Sequence, residues 1–141
     1  MPSIFSRIIA GELPGRFVWR DDRCVAFLSI APMRPGHALV VPRDEVDHWI
    51  DLEGGLAEHL MVVAQTIGRA QRLAFSPRRI GLMIVGDEVP HVHLHVVPIN
   101  HAFELSFEQA DTNPLPEALD VAAAELRGAL RELGATGVAD H

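Results

Sequence analysis

The segment Pro90–Asn100, PHVHLHVVPIN, constrains this chain more than any other. Successive side chains of a strand point to opposite faces. A strand from Val89 to Ile99 therefore puts His91, His93 and His95 on one face and Val92, Leu94 and Val96 on the other. The apolar face needs a helix to cover it. Three imidazoles aligned on the other face gain nothing for a core, because each ring has two nitrogens to satisfy and charging all three sets like charges side by side. The spacing predicts a sheet with neutral histidines lined along the face opposite the apolar one.

The rest of the chain supplies such a sheet. Ser3 reads as the N-cap of a short helix through Ile4, Phe5, Ile8 and Ile9, ended by Gly11. Phe17–Arg20 and Cys24–Ile30 read as a hairpin around Asp21 and Asp22, and a Pro35-Gly36 turn launches a strand over His37–Val41. Leu56, Leu60, Val63, Ile67, Ala70 and Ala74 form one helical stripe, which predicts a long helix over about Glu53 to Phe75, broken at Ser76-Pro77. Ile80–Val85 and Val89–Ile99 are expected as strands joined across Gly86-Asp87. Leu119, Ala123, Leu126, Leu130 and Leu133 repeat the stripe to give a last helix over 117–133, capped by Gly134. The expectation is an α+β fold: a five-stranded, mostly antiparallel sheet with one long central helix, a short N-terminal helix and a C-terminal helix, in a single domain over 1–141.

Composition narrows the partners. With 12 Arg and no Lys against 19 acidic residues, the net charge is 12 − 19 = −7, which disfavours nucleic-acid binding. No apolar run is long enough for a membrane span, and the start lacks a signal-peptide core, so a cytoplasmic protein is expected. The single cysteine, Cys24, rules out an internal disulfide and a multi-cysteine zinc site, and reads as a small buried hydrophobe. His48, His59, His101 and His141 read as surface or packing residues, and Trp19 and Trp49 as core or interface anchors.

Three roles compete for the aligned histidines. A His-x-His pair can share a zinc ion, but His91 and His95 are roughly 13 Å apart along a regular strand, so a further ligand such as His37 is needed. Backbone-capped structural histidines are the second role. The third is nucleophilic catalysis: a neutral imidazole attacks phosphorus with one nitrogen while the other is held by an acceptor, and donors meet the phosphate oxygens. That third role is the best physical fit, with neither metal nor cofactor required.

The sequence HVHLHVV resembles the signature of the histidine-triad (HIT) family, His-x-His-x-His followed by two apolar residues. IFSRIIAGELPGRFVWRDDRCVAF, PGHALVVP and DEVPHVHLHVVPI resemble further family blocks in the same order, over nearly the whole chain. The resemblance implies that His93 is a nucleophile toward the α-phosphorus of a nucleoside phosphate and that His95 contacts phosphate oxygens. It also implies that His91 and His37 form a hydrogen-bonded relay beneath them. Ile4, Phe5, Ile8 and Phe27 then match positions that sandwich a base, usually a purine, with Ser29, Glu88 and Val89 completing the nucleotide-binding set. Family members are generally homodimers joined through the long helix and an adjoining strand.

Three departures put the substrate in question. Ser29 stands where relatives commonly carry an Asp for the ribose hydroxyls. The Gly-rich loop before the triad is shortened to Val85-Gly86-Asp87. Glu88 replaces a Ser or Thr donor, and an ionised carboxylate there suits a cationic leaving group such as an amine better than an anion. The reading that follows is a hydrolase of nucleoside 5′-phosphoramidates or related conjugates. A catalytically weak nucleotide-binding regulatory protein, or a metal-binding protein using the histidine strand, are the alternatives.

Overall fold

The computed structural model describes residues 1–141. Strands β1 (Phe17–Arg20), β2 (Cys24–Leu28), β3 (Ala38–Pro42), β4 (Arg79–Met83) and β5 (Leu94–Ile99) form one antiparallel sheet in the order β1-β2-β3-β5-β4. The helices are α1 (Ile4–Ile9), α2 (Gly54–Phe75) and α3 (Pro116–Glu132), with short 3-10 turns at Trp49–Asp51, Ala102–Glu104 and Phe107–Gln109. This is the expected α+β architecture.

The two apolar stripes decide which face becomes the core. Leu56, Leu60, Val63 and Ile67 of α2 and Leu119, Ala123, Leu126 and Leu130 of α3 are buried. The main core joins most of these side chains to Val18, Ala26, Val40, Leu94 and Val96 from one face of the sheet. Helix starts follow local chemistry: the Ser3 hydroxyl accepts the Ser6 N–H at 3.0 Å, and the Glu53 carboxylate accepts the N–H groups of Gly55 and Leu56. The other face is left to α1 and the histidines.

His37 is delivered to that face by a tight turn. Its N–H donates to the Arg34 carbonyl at 3.1 Å, and Gly36 sits at φ +89°, as a type II turn requires. A Cβ on Gly36 would lie 2.4 Å from Phe75 Cε2. Gly36→Ala is therefore expected to destabilise by roughly 2–4 kcal/mol, combining the left-handed backbone with overpacking. The urea midpoint measures this, and an unchanged midpoint refutes it.

The strand expected from Val89 is shorter than expected. The β3–β5 ladder pairs Val40 with Leu94, so the next in-register partner of Val92 is Pro42, which has no N–H to give. The Val92 N–H donates instead to the Val46 carbonyl at 2.8 Å, and the His91 N–H turns back to Val89. His91 and His93 thus lie on an irregular approach to β5 rather than on a regular strand. β4 likewise stops at Met83, so residues 84–93 cross as a loop, with Gly86 at φ +76°, in place of a tight hairpin. At the far side the tail covers the β1 edge: Arg20 N–H donates to Gly137, and Ala139 N–H donates to Val18. No helix is long and apolar enough to cross a membrane.

Candidate active site

A second apolar cluster of Phe5, Phe17, Val25, Phe27, Leu39 and Val41 forms the floor of the outer sheet face. The imidazoles stand beside it. His95 projects from β5 opposite Leu39, and His37 precedes β3. His37, His91, His93 and His95 are all buried, at 2%, 0%, 6% and 5% exposure. The His93 ring lies edge-on to Phe5 at 4.8 Å and to His95 at 4.9 Å between centroids.

Hydrogen bonds determine where each proton sits. A backbone N–H only donates, so Met33 N–H (3.1 Å) makes His37 Nδ1 an acceptor and puts the His37 proton on Nε2. That proton is donated to His95 Nδ1 at 2.9 Å, which leaves the His95 proton on Nε2. His95 Nε2 is buried and has no partner within the protein. A buried donor without an acceptor costs about 1–3 kcal/mol, a cost removed when an oxygen is brought to it. On His93, Nδ1–H donates to the His91 carbonyl at 2.7 Å, so its Nε2 carries a bare lone pair.

The electrostatics keep this arrangement neutral. Burial, with His95 and His93 adding to it, lowers His37 to about 3. Burial, with His93 adding to it, lowers His95 to about 4. Burial also lowers His93, opposed by its bond to the His91 carbonyl and by the Glu88 carboxylate. At neutral pH the site offers one imidazole lone pair and one N–H donor side by side.

The expected relay between His91 and His37 is not formed. His37 pairs with His95 instead, because β3 and β5 are hydrogen-bonded neighbours while His91 lies past the end of their ladder. His91 Nε2–H donates to the Pro42 carbonyl at 2.8 Å, and its Nδ1 meets the Ser3 hydroxyl at 2.6 Å. Glu45 anchors the same corner, accepting the Ser3 N–H at 2.6 Å and the Ser6 hydroxyl at 2.7 Å. His91 thus ties α1 to β3 while its carbonyl orients His93.

The structure gathers the base-sandwich candidates around α1, unequally. Phe5 and Phe27 are buried, with rings 5.6 Å apart, Ile8 and Val89 pack at the edge of their cluster, and Ile4 is exposed. Ser29 is half-buried, and its hydroxyl accepts the Ala31 N–H at 3.1 Å. Glu88 is exposed on the loop before the triad. Sequence reasoning missed Phe107, whose ring lies edge-on to His95 at 5.4 Å. It also missed the part played by Ser3 and Glu45 beyond helix capping. Phe107 sits in an irregular segment without periodicity, so only its position after the triad strand hinted at it.

Comparison with known proteins gives the family and the fold. The HIT domain family matches residues 10–102. An uncharacterised HIT-like protein of Methanocaldococcus jannaschii is 34% identical over 99 residues, covering 67% of this chain and 77% of its own. A zinc-bound histidine triad family protein of Mycobacterium smegmatis has the same fold, with a TM-score of 0.80 and 28% identity over 93% of this chain and 94% of its own. A HIT family hydrolase of Legionella pneumophila gives a TM-score of 0.61 and 27% identity, covering 68% and 91% of the two chains.

Proposed function

The chain belongs to the HIT family, and from that premise we propose that it hydrolyses nucleoside 5′-phosphoramidates, or related nucleoside phosphate conjugates, through a nucleotidyl-His93 intermediate. One observation carries the reading: the His93 ring, with its bare Nε2, lies 4.9 Å between centroids from the His95 ring, whose buried Nε2–H has no partner. His93 Nε2 attacks the α-phosphorus, and the P–N pair leaves with the amine, which takes up one proton from solvent. His95 Nε2–H binds a phosphate oxygen as charge gathers there. Water then attacks phosphorus, frees His93, and returns the proton as the nucleoside monophosphate departs.

The surroundings favour an amine. Glu88 is exposed on the loop before the triad and its charge acts on His93, and a carboxylate there attracts a protonated amine and repels a polyphosphate. Ile4, Phe5, Ile8, Phe27 and Val89 are the apolar candidates for a purine, and Ser29 for the ribose. The L. pneumophila relative, described as a hydrolase, supports an enzyme over a silent binding protein. The test is to quench the protein during turnover of adenosine 5′-phosphoramidate and weigh it intact. An adenylyl adduct mapping to His93 supports the reading, and AMP release with no adduct on any histidine overturns it.

The same reading makes the protein a cytoplasmic homodimer. The tail covers the β1 edge, while β4, at the other edge, has no strand beside it in the protomer. Beside it runs a groove of about 520 Å³ between α2 and β4, lined by Met61, Ala64, Gly68, Ile80, Leu82 and Val96. Sedimentation at micromolar concentration is expected to give twice 15.5 kDa, and Leu82→Arg to give the monomer. A monomeric wild type refutes the homodimer.

A further inference from the structure

Away from the triad, three elements bring different ligand types together. Asp21 lies in the β1–β2 turn, Cys24 begins β2, and His59 projects from α2. Their carboxylate oxygen, sulfur and imidazole nitrogen lie within 4.8 Å of one another, the one such trio in the chain. The carboxylate is pre-positioned, because Oδ1 accepts the N–H groups of Arg23 and Cys24 at 2.8 Å each and Oδ2 accepts the Trp19 indole N–H at 2.8 Å. Oδ2 also faces His59 Nε2 at 2.7 Å and Cys24 Sγ at 3.6 Å. We propose that Asp21, Cys24 and His59 form a binding site for a borderline-soft divalent cation of the zinc type, clamping α2 to the β1–β2 turn.

The donor set selects the ion. Thiolate, imidazole and carboxylate together suit zinc-like ions and not magnesium or calcium, which prefer oxygen alone. Two anionic ligands offset the charge of a divalent ion. At tetrahedral zinc the oxygen and sulfur stand about 3.5 Å apart and the oxygen and nitrogen about 3.3 Å apart, from the bond lengths of each. The oxygen–sulfur spacing is already in place, and the imidazole has to withdraw by about half an ångström from its present contact. The thiol is fully buried, but the Asp21 and His59 side chains keep 19% and 30% of their surface, so an ion has a route in and water can take the fourth position. On binding, the thiol proton passes to solvent, and His59 shifts to the tautomer protonated on Nδ1, its Nε2 proton exchanging through solvent, so that the Nε2 lone pair replaces its bond to Asp21 with one to the metal.

The chain's single cysteine makes the test specific. Co²⁺ titrated into the untagged protein is expected to give a near-ultraviolet thiolate-to-cobalt charge-transfer band that saturates at one equivalent, with the visible intensity of a tetrahedral ion. Cys24→Ser should abolish the band, His59→Gln should weaken binding at least tenfold, and His93→Ala should leave both unchanged. Circular dichroism checks that each variant is folded. Absence of the band in wild type, or equal cobalt binding by Cys24→Ser, overturns the proposal.

Discussion

His93→Ala is expected to remove AMP release from adenosine 5′-phosphoramidate by at least about 10³-fold, or roughly 4 kcal/mol of barrier, while the protein stays folded. The fold tolerates the change because the side chain's one hydrogen bond goes to a backbone carbonyl in the loop before β5. Removing it leaves that one carbonyl to find a new partner and takes the ring from the edges of Phe5 and His95, a local loss of packing at the site and not in the main core. His95→Ala provides the ranking: it deletes a donor to the phosphate and not the attacking atom, so a loss nearer 10²-fold is expected. It also strips His37 Nε2–H of its acceptor, so this variant and not His93→Ala should show the lower thermal midpoint. Activity retained by His93→Ala overturns the nucleophile. Loss of activity and of thermal stability together in that variant would make His93 a structural residue instead.

The helices were legible because their information is local and periodic. The stripes through Leu56–Ala74 and Leu119–Leu130 placed both long helices to within a residue or so, and Ser3 and Gly36 behaved as their chemistry requires. The histidine strand was legible as chemistry and less so as geometry. Alternation placed the imidazoles opposite the core, but the start of the strand depends on Pro42, a residue far away in sequence that offers Val92 no N–H. The pairing of His37 with His95 and of His91 with Ser3 follows from that same early ending, so no reading of the triad alone reaches it. Phe107 and the tail over β1 are long-range contacts of irregular segments, which carry no period to read. Cys24 read correctly as buried, but its neighbours Asp21 and His59 emerge only once α2 lies across the hairpin.

Lowering the pH from 7 to 5 is expected to cost about 4 kcal/mol of folding stability, because two buried histidines resist a proton that the unfolded chain accepts. His37 is pushed down to about 3 and His95 to about 4, against an ordinary value of 6.5. Between those limits the unfolded state binds more protons than the native state, so stability is fully present above pH 6.5 and falls as the pH drops. Each histidine contributes about 1.4 kcal/mol per pH unit over that window, and over the 1.5 units to pH 5 the two together give the total. Asp21 acts in a separate window. Burial raises its pKa, but bonds from Trp19, the Arg23 and Cys24 backbone and His59 outweigh this, so its contribution is lost only below about pH 4. Urea unfolding at pH 7, 6 and 5 measures the slope, and His37→Gln should roughly halve it; a flat profile from 7 to 5 refutes the buried neutral pair. The nucleophile follows a different limb. Burial depresses His93 as well, so its lone pair persists further into acid than that of an ordinary imidazole. The acid limb of turnover should therefore lie below the ordinary histidine range, in a protein that already unfolds in less urea there, because the burial that costs stability in acid is what keeps the imidazole free to attack.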